Sequence, residues 1–479
     1  MNFADYVMAR FRRAPGGARA APLVQGDPLI GHLLRFRDDA IGALEGVRAE
    51  GGEVARAPFG PSIAYVISDP ALVQEVLVDR HRDFPKFQIG QRTLGSVLGG
   101  GLLTTDGPRW MRYRRTTQPS FHKRKIDAFD GEFVAAADRV FHDLEDGAPL
   151  DIHEEMMKTA LHAVSTTLFS ADIQGLEGVV SESLDLILPI TRARTIRSGL
   201  PRFIPTPENL VFLDALERLD EIVYRIIAES RISKRPSGLV ASLSAAEDPE
   251  TGERLTTTEL RDQLITLFLA GHETTASALS FSIHHLTAHP DIYDQMLDEV
   301  DRVLEGRAPS SADLPQLDLT RRVIEESMRL HPPAWMMVRE SAEDGTLGGY
   351  FIPRGAIVIT PPYLVHRNAR VWEEPERFDP SRFLPAARRS RHRYAYFPFG
   401  GGPRLCIGMG FALAEATLVL ARISQRYRFE RPEEAQPLKL QTQITLRPGS
   451  GLPMISRRRG ERLEAIERSA EGGIVPPEE

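Results

Sequence analysis

The chain has 479 residues, of which 42% are hydrophobic and 26% are charged, and its formal net charge is -7. This composition is typical of a globular protein and excludes a disordered or fibrous one. The length fits either two or three average domains or one large enzyme built around a buried group. Because nucleic-acid-binding domains are usually basic overall, the acidic balance argues against a nucleic-acid partner.

The chain contains one cysteine, Cys406. An intramolecular disulfide and a multi-cysteine zinc or iron-sulfur site are therefore excluded, and a reducing cytoplasm is the expected location. Residues 1–13 interleave apolar and charged side chains. This pattern predicts a short surface helix, and neither a signal peptide nor a transmembrane anchor. We expect a cytoplasmic monomer.

The first predicted elements are short strands. Gly60-Pro61 precedes an alternating run over residues 63–67, which predicts a small hairpin. From about residue 71 to residue 330 the apolar spacing is mostly helical, with breaks at prolines and glycines. Short strands return around residues 347–360, and the charged sequence from Arg457 onward predicts a solvated tail.

One predicted helix is unusually long. Thr256 and Glu259 form a capping box, and the apolar pattern continues to Leu286 before Pro290 ends it. Such a helix is about 45 Å long, enough to cross a domain. The polar run Gly271–Thr275 lies in its apolar middle. Because buried acids and hydroxyls cost free energy unless they are paired or used, this run predicts either a functional segment or a kink.

The sharpest motif is the glycine-dense loop Phe399–Gly408, which delivers the Cys406 thiol to the start of a predicted helix. Glycines allow close approach of the backbone to a flat ligand and let amide N–H groups point at a thiolate, which the helix N-terminus also stabilises. An isolated cysteine is usually a small buried hydrophobe, but this context reverses that interpretation. A phosphate-binding loop is rejected because neither Gly-Lys-Ser/Thr nor G-x-G-x-x-G is present.

This loop resembles the haem-binding signature F-G-x-G-x-R-x-C-x-G of the cytochrome P450 family at every fixed position. Further segments follow the family order from Pro28 to Pro453. The resemblance implies a mainly α fold with a small β region (α+β), the triangular prism of that family. It implies haem b with Cys406 as the axial iron ligand, in a loop that includes Phe399 and Gly408. The expected boundaries are an N-terminal extension over residues 1–20, one catalytic domain over 21–456, and a charged tail over 457–479.

Four further residues are expected at the haem. Trp110 and Arg114 match the family's W-x-x-x-R and are expected to donate hydrogen bonds to the propionates. Arg339 is similar to the arginine in the strand after the Pro-Pro segment, and Arg404 lies two residues before the ligand. Each arginine alone is more often a solvated surface residue, but together with the cysteine loop the resemblance favours propionate binding.

A charged triad is expected beneath the haem. Glu326 and Arg329 resemble the family's E-x-x-R and share one helix face. Arg377, in Pro-Glu-Arg-Phe, resembles the arginine that completes the triad. An isolated pair of this kind contributes little, whereas a buried network stabilises the fold because losing one member leaves a charge unpaired.

The polar run in the long helix resembles the oxygen-activation segment A-G-x-[DE]-T. Because oxygen needs two protons before its O–O bond breaks, we assign proton delivery to Glu273 and the water-positioning hydroxyl to Thr274, beside a local helix opening. A zinc protease motif is excluded because Ala276 occupies the position of the second histidine of H-E-x-x-H. The resemblance therefore implies a monooxygenase that uses O2 and two electrons. A peroxide-driven or isomerising relative and a haem-based sensor remain as alternatives.

The substrate pocket is expected to be apolar, formed by access segments 87–103 and 188–210 and by residues in three later segments. The predicted pocket residues are Phe268, Ala270, Trp335, Met336, Met337, Val338 and Leu452. Such apolar clusters are more often plain core. A terpene, steroid, polyketide or fatty acid fits this pocket. The arginines that could receive a carboxylate, for which solvated loop positions are the better interpretation, are Arg192, Arg194, Arg197 and Arg202.

Electrons are expected from a separate ferredoxin or flavodoxin with its NAD(P)H reductase. Basic residues near the cysteine loop and after the Trp110 helix would steer such an acidic donor. These residues are Lys123, Arg124, Lys125, Arg388, Arg389, Arg391 and Arg393.

Overall fold

The structure is a computed structural model and describes residues 3–169, 204–232 and 238–459, together with residues 179, 182–183, 186–187 and 189–191. Among these residues the helices are α1 (Phe3–Phe11), α2 (Leu33–Asp38), α3 (Ala40–Gly51), α4 (Pro70–Gln74), α5 (Gln88–Leu98), α6 (Gly107–Thr117), α7 (Lys123–Ile126), α8 (Asp130–Phe141), α9 (Ile152–Phe169), α10 (Pro207–Ile232), α11 (Gly238–Ala245), α12 (Thr257–Ala288), α13 (Pro290–Leu304), α14 (Asp318–Leu330), α15 (Pro362–Val365), α16 (Pro385–Ser390) and α17 (Met409–Arg426). The strands are β1 (Val54–Phe59), β2 (Ser62–Ile67), β3 (Pro149–Asp151), β4 (Met337–Glu340), β5 (Gly345–Leu347), β6 (Tyr350–Ile352), β7 (Ile357–Thr360), β8 (Tyr427–Glu430), β9 (Leu440–Thr442), β10 (Leu446–Pro448) and β11 (Pro453–Arg458). The predicted fold class, mainly α with a small β region, is confirmed.

The largest sheet has the strand order β1-β2-β7-β4. Strands β1 and β2 form the predicted hairpin, in which Phe59 pairs with Ser62 and Gly60 has a left-handed φ of 58° that glycine adopts readily. Strand β7 joins β2 in parallel, and β4 joins β7 in antiparallel orientation. This register pairs Arg339 with Val358, so the sheet carries Arg339 on its edge strand.

Helix α12 is the central helix. Its predicted capping box is confirmed, because the Thr256 hydroxyl accepts from the Glu259 N–H at 3.2 Å and the Glu259 carboxylate accepts from the Thr256 N–H at 2.9 Å. The 32 residues of α12 extend about 48 Å, and helices α9, α10, α14 and α17 pack around it. The polar run in its middle is therefore interior to the protein.

Helix α17 begins directly after the cysteine loop and packs against α8 and α14. Phe411 on its first turn meets Phe133 edge to face, with 4.9 Å between ring centroids. On the other side of this core, β11 joins β3 to β8, and β9 and β10 form a separate hairpin.

Both chain ends make contacts with the predicted catalytic domain, whose boundaries stay a prediction. Helix α1, within the expected N-terminal extension, packs on β2, with Tyr6 and Ala9 buried and the Tyr6 hydroxyl donating to Glu340. Strand β11 continues through Arg458, two residues past the expected end of the domain. The remaining predicted tail, residues 460–479, lies outside the described residues. Within the described ranges, no helix is both long enough and apolar enough to cross a membrane.

Candidate active site

The cysteine loop is held close to the surrounding backbone. The Cys406 N–H donates to the Phe399 carbonyl at 2.9 Å, and the short turn Gly402–Arg404 precedes the thiol. A Cβ at Gly402 would lie 2.1 Å from the Leu77 carbonyl oxygen, so only glycine fits there. The Cys406 side chain is exposed, and many protein atoms lie around its thiol. Burial raises the pKa of this thiol, while the Gly408 N–H and Arg114 lower it.

Helix α6 connects to this loop through charge and stacking. Asp106 caps the helix by accepting from the Gly107 N–H at 2.8 Å, and it also pairs with Arg404. The Arg404 guanidinium stacks on the Trp110 ring at 3.8 Å and donates to the Thr105 carbonyl at 3.0 Å. One turn after Trp110, Arg114 donates to the Leu405 carbonyl at 2.8 Å. The predicted residues of α6 and the loop are thus neighbours.

Three cations gather beside this contact. Lys86 forms an antiparallel bridge with Arg339, and its ammonium donates to the Leu102 carbonyl at 3.5 Å. Burial, and then the charge of Arg404, lowers the pKa of Arg339 to about 10. Burial and the same two arginines lower the pKa of Lys86 well below its usual value. Asp106 is the carboxylate that offsets them, so the cluster carries an excess of positive charge.

The polar run of α12 brings the proposed acid and hydroxyl to adjacent positions. The Thr274 hydroxyl donates to the Ala270 carbonyl at 2.5 Å, and Ala270 is exposed on a helix that is otherwise mostly buried. Helix α12 runs without a break here, so the expected local opening is replaced by this side-chain bond. Glu273 is 3% exposed, and its Oε1 lies 3.9 Å from Nη1 of Arg447. Burial lowers the pKa of His272 to about 4, so its ring is neutral and bonds to the backbone of α9.

Glu326 and Arg329 form the expected buried ion pair, through two hydrogen bonds of 2.7 and 2.8 Å. The prediction that Arg377 completes the triad is wrong. The Arg377 side chain is exposed and pairs with Glu374, and only its backbone carbonyl accepts from Arg329, at 3.0 Å. Arg382, five residues later, turns inward instead, with Nε 3.5 Å from Glu326.

The predicted pocket residues separate into two groups. Phe268 is buried with Leu102 and Leu98, and Met337 lies against the cysteine loop, since its Cε would be 3.4 Å from a Cβ at Gly400. Met336 and Val338 are half-buried and pack against the separate cluster that contains Trp335. Trp335 is core, packed between the sheet and Phe36.

The prediction that Leu452 lines the pocket is wrong. Its N–H donates to Asp151, and its side chain packs with Met454 in the core around α8 and α9, because β11 pairs with β3. The loop of the β9–β10 hairpin approaches the Trp335 segment instead, since the Trp335 indole donates to the Gln443 carbonyl at 3.4 Å. The predicted access residues Arg192, Arg194, Arg197 and Arg202 lie outside the described residues.

A sequence model described as Cytochrome P450 matches residues 22–453. The chain belongs to the cytochrome P450 family. It is 36% identical over 406 residues to cyclooctat-9-en-7-ol 5-monooxygenase of Streptomyces melanosporofaciens, covering 84% of this chain and 87% of that protein. It is 33% identical to pentalenene oxygenase of Streptomyces avermitilis, covering 87% and 93% respectively. The crystal structure of the cytochrome P450DA heme domain superimposes with a TM-score of 0.85 at 26% identity, covering 93% of this chain and 99% of that one.

This cytochrome P450 is a monooxygenase with haem held by a cysteine thiolate. Cys406 supplies that thiolate because the chain has no other cysteine. The residues around it fit the group. Lys86, Arg339 and Arg404 form a partly desolvated cationic cluster that two propionate carboxylates would neutralise, and an accessible thiol stands at a helix start.

Sequence reasoning missed Lys86, Asp106, Arg382 and Arg447. Asp106 alone had a local signal, because an aspartate directly before Gly-Pro at a helix start is a typical N-cap. Lys86, Arg382 and Arg447 had none, because each contacts a partner that is far away along the chain: Arg339, Glu326 and Glu273 respectively.

Proposed function

We propose that this cytochrome P450 hydroxylates or epoxidises a cyclic terpene in bacterial secondary metabolism, in the cytoplasm. It uses O2 and two electrons from a separate ferredoxin or flavodoxin and its NAD(P)H reductase. The observation that carries the proposal is the likeness over more than four-fifths of the chain to two enzymes named for oxidising cyclooctat-9-en-7-ol and pentalenene. The apolar side chain of Met337 against the cysteine loop, and the buried cluster of Phe268 against which Ile407 packs, agree with such a hydrocarbon.

The bound haem supplies oxygen activation, which a thiolate ligand favours by donating electron density. The residues of this chain prepare the site. Arg339, Arg404 and Lys86 would hold the propionates together with the predicted donors Trp110 and Arg114. Asp106 and the Trp110 ring would also fix the orientation of Arg404. Arg114 would also secure the cysteine loop through the Leu405 carbonyl.

Proton supply is assigned to Glu273 and Thr274. Because the Thr274 hydroxyl donates to Ala270, its oxygen lone pairs are available to accept from a water molecule in the pocket. Glu273 is one residue away, buried, and faces the guanidinium of Arg447. A carboxylate in this position can pass protons from the interior side of α12 towards that water.

The electron donor would dock beside the cysteine loop. Helix α7 carries exposed Lys123, Arg124 and Lys125. Its Ile126 lies close to Gly410 at the start of α17, since a Cβ placed on that glycine would be 3.3 Å from the Ile126 side chain. On the other flank Arg389 and Arg393 are exposed. The remaining two predicted arginines have structural contacts, since Arg388 pairs with Glu325 and Arg391 stacks on Trp372 at 3.9 Å.

The proposal is tested with the purified haem protein. Pentalenene, progesterone and palmitic acid are titrated while the Soret band is followed, and each binder is then incubated with a ferredoxin, its reductase, NADPH and 18O2. We expect a spectral shift and one 18O atom in the product for the cyclic terpene. Binding and oxidation of palmitic acid alone would overturn the substrate class.

Two controls separate the alternatives. The Cys406→Ser variant should lose both the thiolate spectrum and turnover. Turnover with hydrogen peroxide and no electron donor, at the rate of the complete system, would favour a peroxide-driven enzyme. Absence of turnover with every substrate and donor would favour the sensor.

A further inference from the structure

The loop between α5 and α6 is bonded directly to the first half of α12. The Asp262 carboxylate accepts from the Gly100 N–H at 2.7 Å, and the Gln263 side-chain oxygen accepts from the Leu102 N–H at 3.0 Å. Asp262 is 5% exposed and Gln263 is fully buried. Two adjacent polar side chains on a mostly apolar helix thus hold the backbone of a bend at Gly100 and of the turn that starts at Leu102.

The glycines of this loop fit that contact. A Cβ at Gly99 would lie 2.1 Å from the Asp262 carboxylate, and a Cβ at Gly101 would lie 2.3 Å from the Thr266 hydroxyl. Gly99 also has a left-handed φ of 66°. Because side chains at these two positions would push the loop off α12, the glycine run allows the loop to lie flat on the helix.

Arg261 holds the Asp262 carboxylate in position. Its guanidinium donates to Asp262 at 2.9 Å, to Asp220 of α10 at 2.7 Å, and to the Val97 carbonyl at the end of α5 at 3.3 Å. Arg261 is 7% exposed. If the loop moved away, Asp262 would still face a cation and would keep its position, so the two loop bonds could form again.

The loop also carries apolar residues of the site. Leu98 and Leu102, on either side of Gly99–Gly101, belong to the buried cluster that contains Phe268 of α12. Displacement of the loop would remove these side chains from the pocket wall. The position of the wall therefore depends on the bonds made by Asp262 and Gln263.

We propose that Asp262 and Gln263 are positioning residues that latch the 99–102 loop onto α12, and that this latch sets the rate at which bulky ligands enter and leave the pocket. The inference rests on the proposed function for the location of the pocket, and it does not depend on which substrate the enzyme oxidises. A cyclic hydrocarbon cannot flex to pass a narrow opening, so its passage requires the latch to release.

The test uses the haem-loaded enzyme and 4-phenylimidazole, which ligates haem iron and carries a rigid ring. Stopped-flow spectra give its association and dissociation rates, with unsubstituted imidazole reporting on the iron itself. Loss of a hydrogen bond to a charged acceptor should accelerate both 4-phenylimidazole rates about tenfold in Asp262→Ala, with little change for imidazole. Gln263→Leu should act in the same direction. Hydrogen exchange of the Gly100 and Leu102 amides should accelerate in parallel.

Two variants make the result specific. Asp262→Asn keeps an oxygen for the Gly100 N–H and should restore slow exchange. Asp313→Ala is the matched control, because Asp313 is also buried, accepts a backbone N–H from Ser310 at 2.8 Å and pairs with Arg307, in the loop before α14. If Asp262→Ala and Gln263→Leu keep wild-type rates, or if Asp313→Ala accelerates them equally, the latch is refuted. Neither outcome bears on the terpene test.

Discussion

Nη1 of Arg447 lies 3.9 Å from Oε1 of Glu273. Arg447 also donates to Gln441 at 3.0 Å, so the β9–β10 hairpin fixes its position. A buried carboxylate is costly unless a cation or hydrogen bonds face it, and Arg447 supplies such a charge to the proposed proton donor. The same hairpin touches Trp335 through Gln443, and it therefore links the segment after α14 to the acid of α12.

Glu273→Gln should lower the rate of product formation about a hundredfold, because an amide cannot donate and regain protons. Binding of 4-phenylimidazole should be unchanged. Arg447→Gln should slow turnover less, and Arg447→Lys should recover most of the loss because the charge facing Glu273 is kept. Product formed per NADPH consumed is the measurement. Wild-type turnover in Glu273→Gln would remove Glu273 from proton delivery.

Lys86→Met should weaken haem retention. Lys86 is half-buried beside Arg339 and Arg404, and a propionate accepting from it would gain a charge-assisted hydrogen bond. Losing this bond should accelerate haem transfer to apomyoglobin about tenfold. Lys158→Met is the control, because Lys158 pairs with Glu154 and Glu155 on the surface of α9. Equal transfer rates in the two variants would contradict the assignment.

The three arginines near Glu326 should differ strongly in their effect on stability. Arg329→Met leaves a fully buried carboxylate without its bidentate partner and should cost about 3–5 kcal/mol of unfolding free energy. Arg382→Met should cost about 1 kcal/mol, since its ion pair is longer and Arg329 remains. Arg377→Met should cost less than about 0.5 kcal/mol, because that side chain is exposed. Urea unfolding of each variant measures this order. A large loss of unfolding free energy in Arg377→Met would support the predicted triad of Glu326, Arg329 and Arg377.

Local motifs predicted the local structure well. The capping box of α12, the Gly60 hairpin and the start of α17 all follow from residues close together in the chain. The errors concern side chains whose direction depends on a distant partner. Arg377 and Arg382 lie in one segment, and only the packed structure decides which of them turns inward. Leu452 follows a turn like that of a pocket segment, but its strand pairing with β3 draws it into the core.

Acid should destabilise the fold through a buried histidine pair. Nε2 of His285 lies 2.9 Å from Nδ1 of His331, and the two rings stack between Phe281 and Phe378. Burial lowers the pKa of both rings well below 6.5, and the nearby guanidinium groups of Arg329 and Arg367 lower it further.

The unfolded chain binds these protons below pH 6.5 and the folded chain does not. The contribution of the two histidines to the free energy of unfolding is therefore fully present above that pH. It decreases as the pH falls, by about 1.4 kcal/mol per pH unit for each histidine. His285→Phe should reduce the slope of unfolding free energy against pH between 5 and 6.5 by about that amount. The exposed His142→Phe should leave it unchanged. A wild-type slope in His285→Phe would mean that other groups control acid unfolding.

Charge reversal beside the cysteine loop should slow electron delivery. Lys123 and Arg124 are exposed on α7, next to the start of α17, and an acidic donor would approach this face. Lys123→Glu with Arg124→Glu should lower the rate of reduction by an acidic ferredoxin about tenfold at low ionic strength, and the difference should shrink as salt screens it. Arg225→Glu, at an exposed position of α10, reverses one charge away from the loop. Equal slowing by both changes would show that net charge alone acts, and no slowing by either would place the donor elsewhere.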